Sequence, residues 1–275
     1  MRGIFAAGGN EHTWAHVSAI MGDPRIIARD GDLSRTRIPA PAEEVPFTLV
    51  VPVDAIEWTL WDFIYGINHL RYKNARLLFV VSRPDLNDKT MSIVKEHQKY
   101  LPDVDIFAPK RSLSAPDLLN VALSSVPTDY FCTVHPQDHI HPSALLAMSE
   151  AILKTNADFY HTSRYKLMPN HFAYCTPDLH DDDPWSGVSF QYRGLFTFRK
   201  RAIVELGGFA DGTSTVDPIT AMIYALLDAD CRIERVPEYL YLSRDTGYPK
   251  PSRSPRGHEW RKKLIAECWP RRVKE

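Results

Sequence analysis

Apolar positions fall into short unbroken runs separated by polar segments of helical period, starting at Phe47. FTLVVPV (47–53) is a continuous β-branched run interrupted by Pro52, and ARLLFVV (75–81) is a second, closed by Arg83-Pro84. Runs of this kind predict strands buried on both faces. VDIFAP (104–109) and YFCTV (130–134) predict a third and a fourth strand. Between them, residues 57–70 place Trp58, Trp61, Ile64 and Tyr65 at helical spacing, and 88–100 reads as a second helix. Ser114, with Pro116 and Asp117 behind it, predicts the start of a third helix over DLLNVALSS.

The later half predicts a helix over 142–154, a short strand at 158–163 and a long irregular segment over 164–190. A strand at 191–198 follows, then a helix stopped by Gly207-Gly208, and another helix starting at Asp217-Pro218. Two strands are expected at 231–236 and 239–243. Strands alternating with helices predict an α/β fold with a mostly parallel sheet flanked by helices. In such sheets ligands bind beyond the carboxyl ends of the strands, so the segments after Val53, Val81 and Val134 are where chemistry is expected.

Composition changes this picture at the two ends. The 275 residues carry 33 Lys plus Arg against 34 Asp plus Glu, a net charge of -1. Residues 250–275 hold nine Lys or Arg against three Glu, a local +6, which leaves -7 on residues 1–249. The chain therefore divides into an N-terminal arm (1–46), a domain (47–249) and a basic tail (250–275). In the tail, Trp260, Leu264, Ile265, Cys268 and Trp269 share one helical face beside Arg261, Lys262 and Lys263. Such a helix docks on the body, or lies on an anionic membrane surface or another polyanion. Four cysteines without CxxC spacing point to a reducing, cytoplasmic compartment, with Cys132 and Cys231 as small buried hydrophobes. No signal-peptide core and no run of 18 apolar residues is seen, so a soluble or peripheral protein is expected.

TDYFCTVHPQDHIHPSALL (128–146) runs a strand straight into a polar cluster. An acidic or imidazole group there can hold a divalent cation against a diphosphate. Asn120, Thr128-Asp129-Tyr130, His135-Pro136-Gln137-Asp138 and His141-Pro142 match in order the Asn-x-Gly, Asp-x-Asp-Asp and His-Pro elements of one family. LFTFRKRAIVELGGF (195–209), Val216-Asp217 and IERVPEYLYLSR (233–244) match its later elements. Over residues 46–250 the chain thus resembles the inverting family 2 glycosyltransferases of the GT-A fold.

The resemblance implies transfer of a sugar from a nucleotide-sugar donor to an acceptor hydroxyl with inversion, assisted by Mn²⁺ or Mg²⁺. It implies Asp217 as general base; the same residue, ahead of Pro218, also reads as a helix cap. Asp138 is implied as metal ligand or diphosphate organiser, or alternatively as a cap near Pro142, and His135 as a nitrogen ligand. His135, His139 and His141 are together candidate nitrogen ligands in place of the missing carboxylates, and all three read more readily as solvated loop histidines. Asp54 is a candidate nucleotide contact or a turn residue, and Arg244 and Arg83 are candidate diphosphate partners.

Ser82-Arg83 stands where the family has an Asp that contacts the base, His135-Pro136-Gln137 replaces Asp-x-Asp, and Ala122 replaces a glycine. These departures keep a second expectation alive, a GT-A-like binding or scaffolding domain without catalysis. The acceptor expected is a saccharide, a lipid-linked glycan, a protein or a nucleic acid. Trp185 and Tyr192 could form an acceptor platform, while Asp181, Asp182 and Asp183 read as a solvated charge run. Nucleotidyl transfer would need a glycine-rich phosphate loop after the first strand, and PVDAIEW supplies none.

Overall fold

The computed structural model describes residues 44–54, 58–68, 70–97, 103–167, 173–175, 194–210 and 218–244. Nine strands, β1 Phe47–Val53, β2 Ala75–Val81, β3 Asp103–Phe107, β4 Tyr130–Thr133, β5 His139–Ile140, β6 Phe159–Leu167, β7 Ala173–Cys175, β8 Phe196–Arg199 and β9 Ile233–Arg244, form one sheet. Its order is β3-β2-β1-β4-β8-β6-β9-β5, with β7 paired to β6. The helices are α1 Trp58–Asn68, α2 Asn87–His97, α3 Ala115–Ser125, α4 Ala144–Thr155, α5 Lys200–Glu205 and α6 Pro218–Asp228.

β1 through β4 are parallel where they pair. Their continuous apolar runs follow from burial on both faces. Leu49, Val51 and Val53 of β1 join a core with Phe63 and Ile64 of α1 and Leu145 and Met148 of α4. Val50 points into the opposite core, with Leu118 and Leu119 of α3, Ile203 of α5 and Ile223 of α6. The edge strand β3 is less buried, and Arg76 bridges its Asp103 and Asp105 at 2.9 and 3.0 Å. Charge along that edge discourages pairing with another chain.

The second half of the sheet departs from the expected boundaries. β6 continues to Leu167 and pairs antiparallel with β7, inside the stretch expected to be irregular. The two strands expected at 231–236 and 239–243 are one strand, β9, paired in parallel with β6. Val236 lies opposite Thr162 and Tyr239 opposite Ser163, so Pro237 and Glu238 are accommodated in a register shift. Pro237 has no N–H for the ladder, and a bulge is where a sheet tolerates that loss. Cys132 is fully buried, as expected, whereas Cys231 is only half-buried just ahead of β9. Of the N-terminal arm, residues 44–46 are described. They are tied to the domain by Val45 N–H donating to Ser149 Oγ (3.1 Å) and by the Tyr72 hydroxyl donating to Val45 O (2.6 Å).

Candidate active site

β1 and β2 end level, Val53 opposite Val81, which sets Asp54 and Ser82 side by side beyond the carboxyl edge. Ser82 N–H donates to Val53 O at 2.9 Å, and Ser82 O accepts from Leu113 N–H at 2.8 Å. The backbone of Ser82 is therefore fixed between the end of β1 and the loop after β3. Asp54 and Arg83 are exposed, and among the described residues Arg83 pairs with Asp85, at 3.5 Å.

At the end of β4 the ladder runs one residue further, with Val134 N–H donating to Val50 O at 3.0 Å. The chain then turns through His135–Asp138, closed by Asp138 N–H donating to His135 O at 3.0 Å. Gln137 N–H donates to His135 Nδ1 at 3.3 Å, which makes that ring nitrogen the acceptor. The turn leads into β5, whose pairing with β9 sets Ile140 opposite Tyr241.

Tyr241 comes up beneath this turn from β9. Its hydroxyl donates to Asp138 Oδ2 at 2.7 Å and accepts from His135 N–H at 3.4 Å. Burial, and after it the Asp138 carboxylate, push the phenol well above its usual range, so the hydroxyl stays a neutral donor. Arg164 of β6 lies opposite Tyr241 in register, and its charge acts in the other direction on the phenol. Asp138 is thus the carboxylate that orders the loop, and Ser143, not Asp138, occupies the N-cap position of α4. Tyr241→Phe removes the donor of a charge-assisted hydrogen bond and is expected to cost about 2 kcal/mol, read as a lower urea midpoint.

The three histidines occupy three different environments. His135 is exposed, His139 is buried in β5, and His141 is half-buried, its Nδ1 accepting from Ser143 N–H at 3.1 Å. The reading of all three as solvated loop residues is therefore corrected for His139 and His141: the β5–β9 pairing carries both inward. Burial first, and Arg71 second, lower the His141 pKa to about 4, and burial with Arg235 does the same to His161. A base whose folded pKa lies below its unfolded value contributes full stability above the unfolded value. Each imidazole should therefore stabilise the fold fully above about pH 6.5 and lose about 3 kcal/mol as the pH falls toward 4. A thermal midpoint that drops across this window, and recovers in part in His161→Gln, is the expected result.

Among the described residues, no group of three or more His, Cys, Asp or Glu side chains gathers where one metal ion could sit. At the end of β4 the described carboxylate is Asp138, with Oδ2 already accepting from Tyr241. The described donors at this turn, Asp138 and His135, do not by themselves make up a cage for a divalent cation.

Asn120 of α3 positions a further element. Its Nδ2 donates to Phe209 O and its Oδ1 accepts from Phe209 N–H, both at 2.8 Å. Gly207 and Gly208 have φ of 88° and 85°, and a Cβ on Gly208 would meet Asn120 Oδ1 at 2.6 Å. The matched Asn and Gly-Gly-Phe segments are thus two halves of one clamp. Asp217, Asp181–Asp183, Trp185, Tyr192 and the basic tail lie outside the described residues, as does the side chain of Arg244; its backbone ends β9. Tyr241 and Arg164 were not among the sequence-derived candidates. The available signal was a hydroxyl between Leu240 and Leu242, which once buried must find a partner.

No family model matches the chain, and no curated protein matches it either. Solved structures do. S. aureus TarS 1–349 superposes with a TM-score of 0.60 at 15% identity, over 81% of this chain and 65% of that one. The same TarS fragment in complex with UDP-GlcNAc gives 0.60 at 14% identity, over 81% and 67%. The mannosyltransferase PcManGT from Pyrobaculum calidifontis, in complex with GDP-Man and Mn²⁺, gives 0.57 at 14% identity, over 97% and 73%. The chain spans just under two thirds of the TarS fragment's length. The architecture is therefore the GT-A fold of glycosyltransferases.

Proposed function

We propose that this chain is a glycosyltransferase of the inverting family 2 type, which moves a sugar from a nucleotide-sugar donor to an acceptor hydroxyl. The observation that carries the reading is the carboxyl edge of the sheet. There Asp54, Ser82, Arg83 and the His135–Asp138 turn are gathered from three adjacent parallel strands. That is where an open α/β sheet holds its ligand. The similar structures add support, since TarS is in complex with UDP-GlcNAc and PcManGT with GDP-Man.

In the reaction proposed, the Asp217 carboxylate takes the proton of the acceptor hydroxyl. The oxygen attacks the anomeric carbon from the face opposite the leaving group, and the C–O bond to the diphosphate breaks through an oxocarbenium-like state. The nucleoside diphosphate leaves with the bonding pair, and the configuration inverts. Asp138 and His135 shape the turn facing the donor, and Asp54, Ser82, Arg83 and Arg244 are its proposed contacts. A divalent cation, where one is bound with the donor, would supply charge neutralisation of the leaving diphosphate.

Calorimetric titration with UDP-, GDP- and dTDP-sugars tests the site. One of them is expected to bind, more weakly in Asp54→Ala. Absence of binding by all three would favour the scaffolding reading. No helix among the described residues is long and apolar enough to cross a membrane.

A further inference from the structure

We propose that Arg83, Lys110 and Arg111 form a cationic clamp for the phosphates of a nucleoside diphosphate, in place of a protein-held divalent ion. The proposal rests on the donor-site reading above. β2 and β3 are parallel, Val80 opposite Phe107, so the segments that leave their carboxyl ends, 82–83 and 108–113, emerge side by side. Leu113 N–H donates to Ser82 O at 2.8 Å and staples the two segments, and Asn87 Nδ2, at the start of α2, donates to Pro109 O at 3.1 Å. Three cations are thereby placed on two linked loops at the edge where the ligand is expected.

All three side chains are exposed. Neither Lys110 nor Arg111 pairs with a carboxylate among the described residues, and Arg83 has only a loose contact with Asp85, at 3.5 Å with both groups half exposed or more. Such a surface pair is worth little and yields readily to a phosphate. Among the described residues the carboxylates nearest in sequence are Asp54, Asp85 and Asp117, and Asp138 at the end of β4 has one oxygen on Tyr241. α3 also begins here, behind its Ser114 cap, and brings its positive end to the same loop, partly offset by Asp117.

The charge needed by a diphosphate must come from somewhere. At the β4 end, Asp138 has an oxygen on Tyr241 and His135 Nδ1 accepts from Gln137 N–H, which leaves a poor ion cage. Guanidinium groups bind phosphate oxygens in pairs and an ammonium adds a point charge, so these loops offer what the turn lacks.

Calorimetry with UDP, GDP and dTDP in EDTA tests this. One of them is expected to bind without metal, with affinity that falls as salt rises. The triple variant Arg83→Ala, Lys110→Ala, Arg111→Ala should weaken binding by roughly 100-fold, the loss of several charge-assisted contacts. Its thermal midpoint should hold, because the three side chains are exposed. Binding that requires Mn²⁺, or a triple variant that binds like the wild type, overturns the clamp while leaving the donor site standing. No binding of UDP, GDP or dTDP in either buffer overturns both. Inorganic tripolyphosphate is the second arm: competition with the nucleotide supports the clamp. Tripolyphosphate bound tightly without displacing UDP, GDP or dTDP would place the cations outside the donor site and overturn it.

Discussion

Asp217→Asn is expected to slow sugar transfer by about 10²- to 10⁴-fold while leaving donor affinity nearly unchanged. The substitution keeps the shape of the side chain and removes its ability to take a proton. It also separates the two readings of this residue. Asn is as good a helix N-cap as Asp, so a residue that merely starts α6 would tolerate the change in rate and in stability alike. Asp217→Ala, by contrast, should lose both the base and the cap, adding about 1 kcal/mol of destabilisation to the same loss of rate. Turnover of Asp217→Asn at the wild-type rate would leave only the capping role.

Gly194→Ala is expected to be the most damaging single methyl group in the described structure. Gly194 has φ of 82°, a left-handed conformation that disfavours any side chain. It also passes so close to β6 that a Cβ would overlap both Oγ1 and the carbonyl oxygen of Thr162. Thr162 sits within β6, opposite Val236 of β9, so its backbone cannot shift freely, and its Oγ1 accepts from Leu195 N–H at 2.9 Å, so neither oxygen can give way cheaply. About 4 kcal/mol or more is at stake, enough to unfold a marginally stable domain. Chemical denaturation reads it directly, and Thr162→Ser should leave stability far closer to the wild type.

The contrast between the two halves of the sheet shows which parts of the fold the sequence makes legible. β1 and β2 lie where their apolar runs begin and end, because a strand covered on both faces leaves no polar position to blur its limits. The Ser114 cap and the Gly207-Gly208 stop were also legible, since each depends on chemistry local to a few residues. β5 and β7 have two and three residues, too short for any period, and exist by pairing with β9 and β6. The site follows the same division. Asp138 stands out from its neighbours in the sequence, but its partner Tyr241 is 103 residues away and reaches it only through the β5–β9 pairing. Lys110 and Arg111 carry no motif, and their place beside Ser82 depends on the stapled loops.

The central claim is that the carboxyl edge of this sheet holds a nucleotide sugar and releases its nucleoside diphosphate. Mass spectrometry of the nucleotide products, after incubation with UDP-, GDP- and dTDP-sugars and a panel of saccharide acceptors, tests it most directly. The account predicts that one donor is converted to its nucleoside diphosphate by the wild type and, under the same conditions, hardly at all by Asp217→Asn. A donor that binds yet stays intact with every acceptor and in water, or equal release by both proteins, would contradict it.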